Sequence, residues 1–114
     1  MSNALIDLNH LDRYVAGDRI LRDEILGIFE EQADMWIKML NPNQEDAAWK
    51  DAAHALKGAS RGVGAWEVGD LCQQAESLVG EEHRDIAKRS ILLEDLRNKV
   101  METVDEVKRL RNAS

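Results

Sequence analysis

This 114-residue chain contains a single proline, and on both sides of it apolar residues recur at the spacing of an α-helix. The proline, Pro42, lies in Asn41-Pro42-Asn43, which is the clearest turn signal of the sequence. Hydrophobic residues make up 44% of the chain, but aromatic residues only 4%. Because aromatic, β-branched and turn-forming residues are too few for an all-β domain, the composition predicts an all-α protein.

Five helices are predicted, and four of them are long enough to form a bundle. Asn9 is expected to cap a short first helix, and Asp18 to cap the second. Asn43 and Asp46, three residues apart, resemble a capping box at the start of the third helix. The predicted ranges are about 10–16, 19–40, 44–63, 66–79 and 84–112.

Short loops between long amphipathic helices place consecutive helices antiparallel to each other. The expected fold is therefore an antiparallel up-down-up-down four-helix bundle with a short additional N-terminal helix over one end. The whole chain, residues 1–114, is expected to form one domain. Because this bundle closes on itself within one chain, we expect a monomer.

The formal net charge of −7 disfavours nucleic acid and anionic membranes as partners. No apolar run approaches the roughly 20 residues of a membrane span, and the N-terminus lacks the features of a signal peptide. The single cysteine, Cys72, excludes an intramolecular disulfide, and no His or Cys pair has metal-ligand spacing. These features predict a cytoplasmic protein without a metal site.

The third predicted helix carries one histidine on its polar face. At about 100° per residue, its core face consists of Trp49, Ala52, Leu56, Ala59 and Val63, and His54 lies nearly opposite. Within reach of His54 are three cations and a glycine, namely Lys50, Lys57, Arg61 and Gly58. Imidazole is a nucleophile at neutral pH, and Gly58 opens a path to its edge at a cost to the helix of about 1 kcal/mol. A solvated face whose charges serve solubility is the alternative.

A resemblance to the histidine phosphotransfer (HPt) domain family is carried by residues 54–76. The family pattern is H-x-L-K-G-[AS]-[AS]-x-x-[LIV]-G, followed by a C-x-x-x-E-like segment. The matching segments are His54-Ala55-Leu56-Lys57-Gly58-Ala59-Ser60, then Val63-Gly64-Ala65, Leu71-Cys72 and Ala75-Glu76.

The resemblance implies a carrier that relays a phosphoryl group between aspartates of receiver domains in a bacterial two-component phosphorelay. His54 would accept and donate the phosphoryl group, Lys57 would supply positive charge to its oxygens, and Gly58 would make room for the partner. Arg61 and Lys50 would assist or steer an acidic receiver surface. The chain would need no cofactor of its own, because Mg²⁺ is expected in the receiver. The implied partners are receivers of response regulators, of a hybrid histidine kinase, or of both.

Glu76 matches a family position that faces the histidine from the fourth helix. It is hypothesised to accept a hydrogen bond from Nδ1–H, which leaves Nε2 free; a surface glutamate is the alternative. Leu8, Leu11 and Ile28 are hypothesised to form an exposed apolar rim that docks the receiver, with core packing as the alternative for Ile28.

Three other functions fit parts of this sequence. A phosphoacceptor module of a chemotaxis-type kinase shares the motif, but this chain carries no nucleotide-binding motif and should not phosphorylate itself from ATP. A non-catalytic helical adaptor would explain the bundle but not the residues around His54. Gly58 to Gly64 also resembles the G-x-x-x-G-x-G loop of short-chain dehydrogenases. This last function is rejected, because helical residues precede the loop and Tyr14 lacks the required lysine.

Overall fold

The computed structural model describes residues 4–112, which form five helices and no strand. The helices are α1 (Leu8–Tyr14), α2 (Arg19–Met39), α3 (Asp46–Gly62), α4 (Trp66–Glu76) and α5 (Ile86–Asn112). The all-α prediction is confirmed, and the segment from Gly58 to Gly64 ends a helix rather than following a strand. None of the helices in residues 4–112 is long and apolar enough to cross a membrane.

Helices α2 to α5 form a bundle in which each helix packs on the next and α5 closes the ring against α2. Two contacts show the antiparallel directions. Trp49, near the start of α3, donates its indole N–H to the carbonyl of Ala75, near the end of α4, at 2.7 Å. The Arg111 guanidinium, at the end of α5, lies against Gly27 in the first half of α2.

The interior follows the periodicity of the helices. The core face predicted for α3 is buried, with Trp49 and Leu56 at 0% exposure, while Ala59 is partly buried. From α2 the buried residues are Leu26, Phe29 and Ala33. The other apolar residues of α2 include several exposed ones, which leaves part of that helix available for contact with another molecule.

The short helix α1 lies over one end of the bundle, as predicted, and the structure shows that it covers the turn between α3 and α4. The backbone N–H of Asp7 donates to the carbonyl of Gly64 at 2.9 Å, and the Trp66 indole donates to the Asp7 carboxylate at 2.9 Å. Gly64 has φ +79, and a Cβ there would lie 2.9 Å from Asp7. Only glycine combines this backbone conformation with so close an approach.

The helix ends differ from the predictions. Helix α1 is capped by Asp7 rather than Asn9, and its carboxylate accepts from the N–H of His10 at 3.1 Å. Asp18 caps α2 as predicted. Helix α4 ends at Glu76, three residues earlier than expected, and α5 starts at residue 86 rather than 84.

The capping box predicted at Asn43 and Asp46 does not form. The N-cap of α3 is Glu45, which makes no side-chain capping hydrogen bond. The Asp46 carboxylate instead accepts from the backbone N–H of Gly80 at 2.8 Å and pairs with Arg84. These contacts, with the Gly80 hydrogen bond first, lower the pKa of Asp46 from 3.8 to about 2. The side chain therefore ties the start of α3 to the α4–α5 loop.

Arg89 joins three segments at the same end of the bundle. Its side chain is fully buried and lies 4.9 Å from the centroid of the Trp49 ring. The guanidinium donates to the carbonyl oxygens of Leu78, Pro42 and Gln44 at 3.0, 3.2 and 3.0 Å and to Asp46 at 2.7 Å. A buried cation is tolerated here because backbone and carboxylate oxygens replace its water.

Replacing Arg89 by alanine should lower the free energy of unfolding by about 3 kcal/mol or more, because buried carbonyls lose their donors. Urea denaturation measures the loss. The matched control is Arg84→Ala, which removes a cation from the same carboxylate at a side chain that is 34% exposed. It should cost much less, since exposed ion pairs are screened by water. Equal losses for the two variants would contradict the role given to burial.

Candidate functional site

The centre of α3 presents an exposed imidazole, as the periodicity predicts. The His54 side chain is 71% exposed. One turn further along the same helix, a Cβ built on Gly58 meets no atom within 4 Å. Another molecule can therefore reach the ring over a part of the helix surface that carries no side chain.

A carboxylate from α4 lies on one side of this ring. Glu76 Oε2 is 3.4 Å from His54 Nδ1, at the long end of hydrogen-bond range, and Oε1 is 2.6 Å from Lys57 Nζ. Glu76 is the last residue of α4, and its side chain is only 14% exposed. It occupies the seam between α3 and α4, the most extensive helix contact of the bundle.

The charge of Glu76 bears on which nitrogen of the neutral His54 ring carries the proton. Burial raises the pKa of Glu76, but the Lys57 ammonium and the contact with His54 together lower it below its usual value. The carboxylate is therefore ionised at neutral pH and can only accept hydrogen bonds. An acceptor beside Nδ1 favours the tautomer with its proton there, which leaves the lone pair of Nε2 free.

Two of the three cations expected around His54 are engaged with α4. Lys57 is 18% exposed and pairs with Glu76. Arg61 donates to the Gln73 side chain at 2.6 Å and lies 3.8 Å from the Asp70 carboxylate. Lys50 is exposed on α3. The positive charges of Lys57 and Arg61 are therefore partly neutralised by α4. The sequence did not predict these pairings, because periodicity within α3 does not show which residues of α4 its side chains meet.

An apolar hollow lies beside Gly58, between α1, α2 and α3. It is lined by Tyr14, Ile25, Ile28, Phe29, Gln32, Gly58, Ala59, Gly62 and Val63. Ile28 is 55% exposed and Tyr14 is 69% exposed. Sequence reasoning missed Tyr14 here, although its place at the end of α1 was a usable signal.

The three residues predicted to form an exposed apolar rim do not lie together at the surface. Leu11 is fully buried in the core, so its assignment to an exposed docking rim is wrong. On a helix this short, packing over the α3–α4 turn decides which leucine is covered. Leu8 is 37% exposed but lines a separate hollow with Trp66.

Other reactive groups do not converge on this site. Within residues 4–112 no group of three or more His, Cys, Asp and Glu side chains is arranged to hold a metal ion. Cys72 is buried, and that burial raises the pKa of its thiol to about 12. Cys72 is one of the buried residues with which α4 packs on the rest of the bundle.

Comparison with known proteins agrees with the fold and shows the family. The family model described as Hpt domain matches residues 23–113, which leaves α1 outside the matched range. The histidine phosphotransferase ShpA from Caulobacter crescentus is 33% identical, with 93% of this chain and 97% of that chain covered and a TM-score of 0.61. Histidine-containing phosphotransfer protein B (HptB) from Pseudomonas aeruginosa PAO1 shares the fold, with a TM-score of 0.81, 18% identity and 99% of each chain covered. A search of the curated proteins found no match.

A helical bundle with a solvent-facing histidine beside a glycine is the architecture of a phosphotransfer module. The chain belongs to the Hpt domain family, whose members carry out histidine phosphotransfer in phosphorelays. The family resemblance found in residues 54–76 is therefore confirmed.

Replacing Gly58 by alanine should raise the free energy of unfolding by about 0.5–1 kcal/mol, because alanine favours the helix and its methyl group meets open space. Urea denaturation tests this. The control is Gly69→Ala on α4, where a Cβ would lie 2.9 Å from Arg61 Cγ and should destabilise the protein. A destabilised Gly58→Ala variant would show that the fold itself requires this glycine.

Proposed function

We propose that this protein relays a phosphoryl group between the aspartates of two receiver domains through phosphorylation of His54. The observation that carries the proposal is the geometry of that ring: it is 71% exposed, with a carboxylate on its Nδ1 side and an open glycine one turn away. Only Nε2 is then both nucleophilic and accessible to a partner.

The transfer step is a displacement at phosphorus. The Nε2 lone pair of His54 attacks the aspartyl phosphate of the first receiver and forms an N–P bond. The P–O bond to the aspartate breaks, and the carboxylate leaves with that electron pair. The reverse displacement by a second receiver's aspartate regenerates the free imidazole. Mg²⁺ belongs to the receivers in this scheme and screens the charge on the phosphoryl oxygens.

The basic residues of α3 would stabilise the negative charge of the phosphoryl group and attract an acidic receiver. Lys57 and the His54 ring both contact Glu76, and the Lys57 ammonium would move onto a phosphoryl oxygen after transfer. Arg61 and Lys50 lie on the same face of the helix, where they would steer an acidic receiver surface. Glu76 orients the ring and acts as a positioning residue.

The hollow beside Gly58 is proposed to dock the receiver. Ile28 and Tyr14 supply exposed apolar surface next to the glycine, while Leu8, at the other end of α1, lies at a separate hollow. Fixing the receiver there would place its aspartate over the bare part of α3, where no side chain of this helix intervenes.

We further propose that this protein is a monomeric phosphoryl carrier in the cytoplasm and that it has no autokinase activity. A chemotaxis-type phosphoacceptor would also be labelled on His54, but by a kinase using ATP rather than by a receiver. An adaptor would not be labelled at all. Labelling experiments with ATP alone, a kinase and ATP, or a phosphorylated receiver therefore separate the three functions.

Incubation with a phosphorylated receiver or with phosphoramidate should give an acid-labile, base-stable label on the wild-type protein. The label should disappear in His54→Gln, because the amide is not a nucleophile. The control is His83→Gln, which changes another exposed histidine, in the α4–α5 loop, and should keep full labelling. Labelling that persists in His54→Gln would overturn the proposal.

Replacing Ile28 by lysine should raise the KM for the receiver by about tenfold, the effect expected for loss of one apolar anchor in an interface. Labelling by phosphoramidate should not change, because that donor needs no docking surface. The control, Ile91→Lys, places the same charge at a 66% exposed site on α5. Equal effects of the two substitutions on KM would remove Ile28 from the docking surface.

A further inference from the structure

We infer that Glu76 keeps the phosphorylated His54 ring protonated on Nδ1, which makes its phosphoryl group a short-lived, readily transferred one. This inference rests on the proposed phosphorylation of His54. It goes further in assigning a role to the Nδ1 proton after transfer, and in making Glu76 the positioning residue that controls phosphoryl release.

Phosphorylation changes the charge of the His54 ring but not the number of its protons. Before transfer, neutral His54 carries one proton, on Nδ1, facing Glu76 Oε2 at 3.4 Å. Attack by Nε2 adds a phosphoryl group without removing that proton, so the ring becomes an imidazolium. If the proton then left, a bare Nδ1 lone pair would face an ionised carboxylate, and both groups would be acceptors. The carboxylate therefore holds the proton in place.

The charge on the ring decides how readily the N–P bond breaks. A protonated ring leaves as neutral imidazole, with Nδ1–H already in place and the N–P electron pair returned to Nε2. An unprotonated ring must leave as an imidazolate anion, which is a far poorer leaving group. A carboxylate at position 76 thus favours onward transfer, whereas an amide can donate its N–H to bare Nδ1 and stabilise the neutral, slowly transferring phosphohistidine.

The other groups facing this ring do not replace Glu76. Within two turns of His54, α3 carries Lys50, Asp51, Lys57 and Arg61. The Gln73 and Asp70 side chains of α4 are both engaged with Arg61, and the ring itself contacts Glu76. Tyr14 from α1 and Gln32 from α2 line the hollow beside Gly58. Lys57 is 2.6 Å from Glu76 and partly offsets its charge. When that ammonium moves onto the phosphoryl oxygens, the full charge of the carboxylate acts on Nδ1.

The test compares wild type with Glu76→Gln after chemical phosphorylation by phosphoramidate. At about pH 8 the variant should lose its phosphoryl group about tenfold more slowly, to water and to an unphosphorylated receiver, which is the effect expected for removing one charge at this distance. At about pH 5 the two rates should converge, because both rings are then protonated. A urea denaturation curve that matches that of wild type shows that the variant is folded.

The matched control is Glu67→Gln, at the other end of α4. It removes the same charge from a comparable ion pair, with Lys99 at 2.9 Å, and should leave both rates unchanged. A second measurement does not depend on any variant: ¹⁵N NMR of the phosphorylated wild type should show Nδ1 protonated well into the alkaline range.

The outcomes separate this inference from the proposed function. If wild type is not phosphorylated on His54, the proposed function fails. If His54 is phosphorylated but Glu76→Gln has the pH profile of wild type, or if Nδ1 is bare at neutral pH, the inference about Glu76 fails and the relay function stands. Slower release at about pH 8, with convergence at low pH and a protonated Nδ1, supports the inference.

Discussion

Close packing of α3 against α4 is the constraint on which the site depends. The buried residues of these two helices include the small side chains of Ala52, Ala53 and Ala75, and Gly69 makes room for the stem of Arg61. Larger residues at these positions would force the helices apart. At the present separation, a glutamate at the end of α4 can contact both a lysine and a histidine of α3.

The α3–α4 pair is fixed at both of its ends by polar groups. At the end where α3 begins, Asp46 and the buried Arg89 join the start of α3 to the α4–α5 loop and to the turn before α3. At the end covered by α1, the Asp7 carboxylate accepts a hydrogen bond from the Trp66 indole. Asp7 packs so closely on Gly64 that a side chain at position 64 would not fit. Both groups of contacts hold the relative position of the helices to the accuracy that a contact between His54 and Glu76 requires.

The site combines an exposed imidazole with a carboxylate that is mostly covered. His54 and Gly58 face solvent, where a partner protein can reach them, while the Glu76 side chain is 14% exposed. In the proposed relay, the exposed residues would determine whether transfer occurs, and the carboxylate would influence how fast the phosphoryl group leaves again. This division is possible because the two nitrogens of imidazole point in different directions.

The sequence by itself determined the helices and the face on which His54 lies, because both follow from hydrophobic periodicity within single segments. It also carried the family motif, because the histidine, lysine and glycine lie within five residues of one helix. Only the tertiary structure decided which groups of α4 meet Lys57 and Arg61, that Leu11 is buried, and that Asp46 binds a distant loop instead of capping its own helix. These outcomes depend on how separate helices pack and how the loops close over them, and contacts across 12 residues or more leave no periodic signal in the chain.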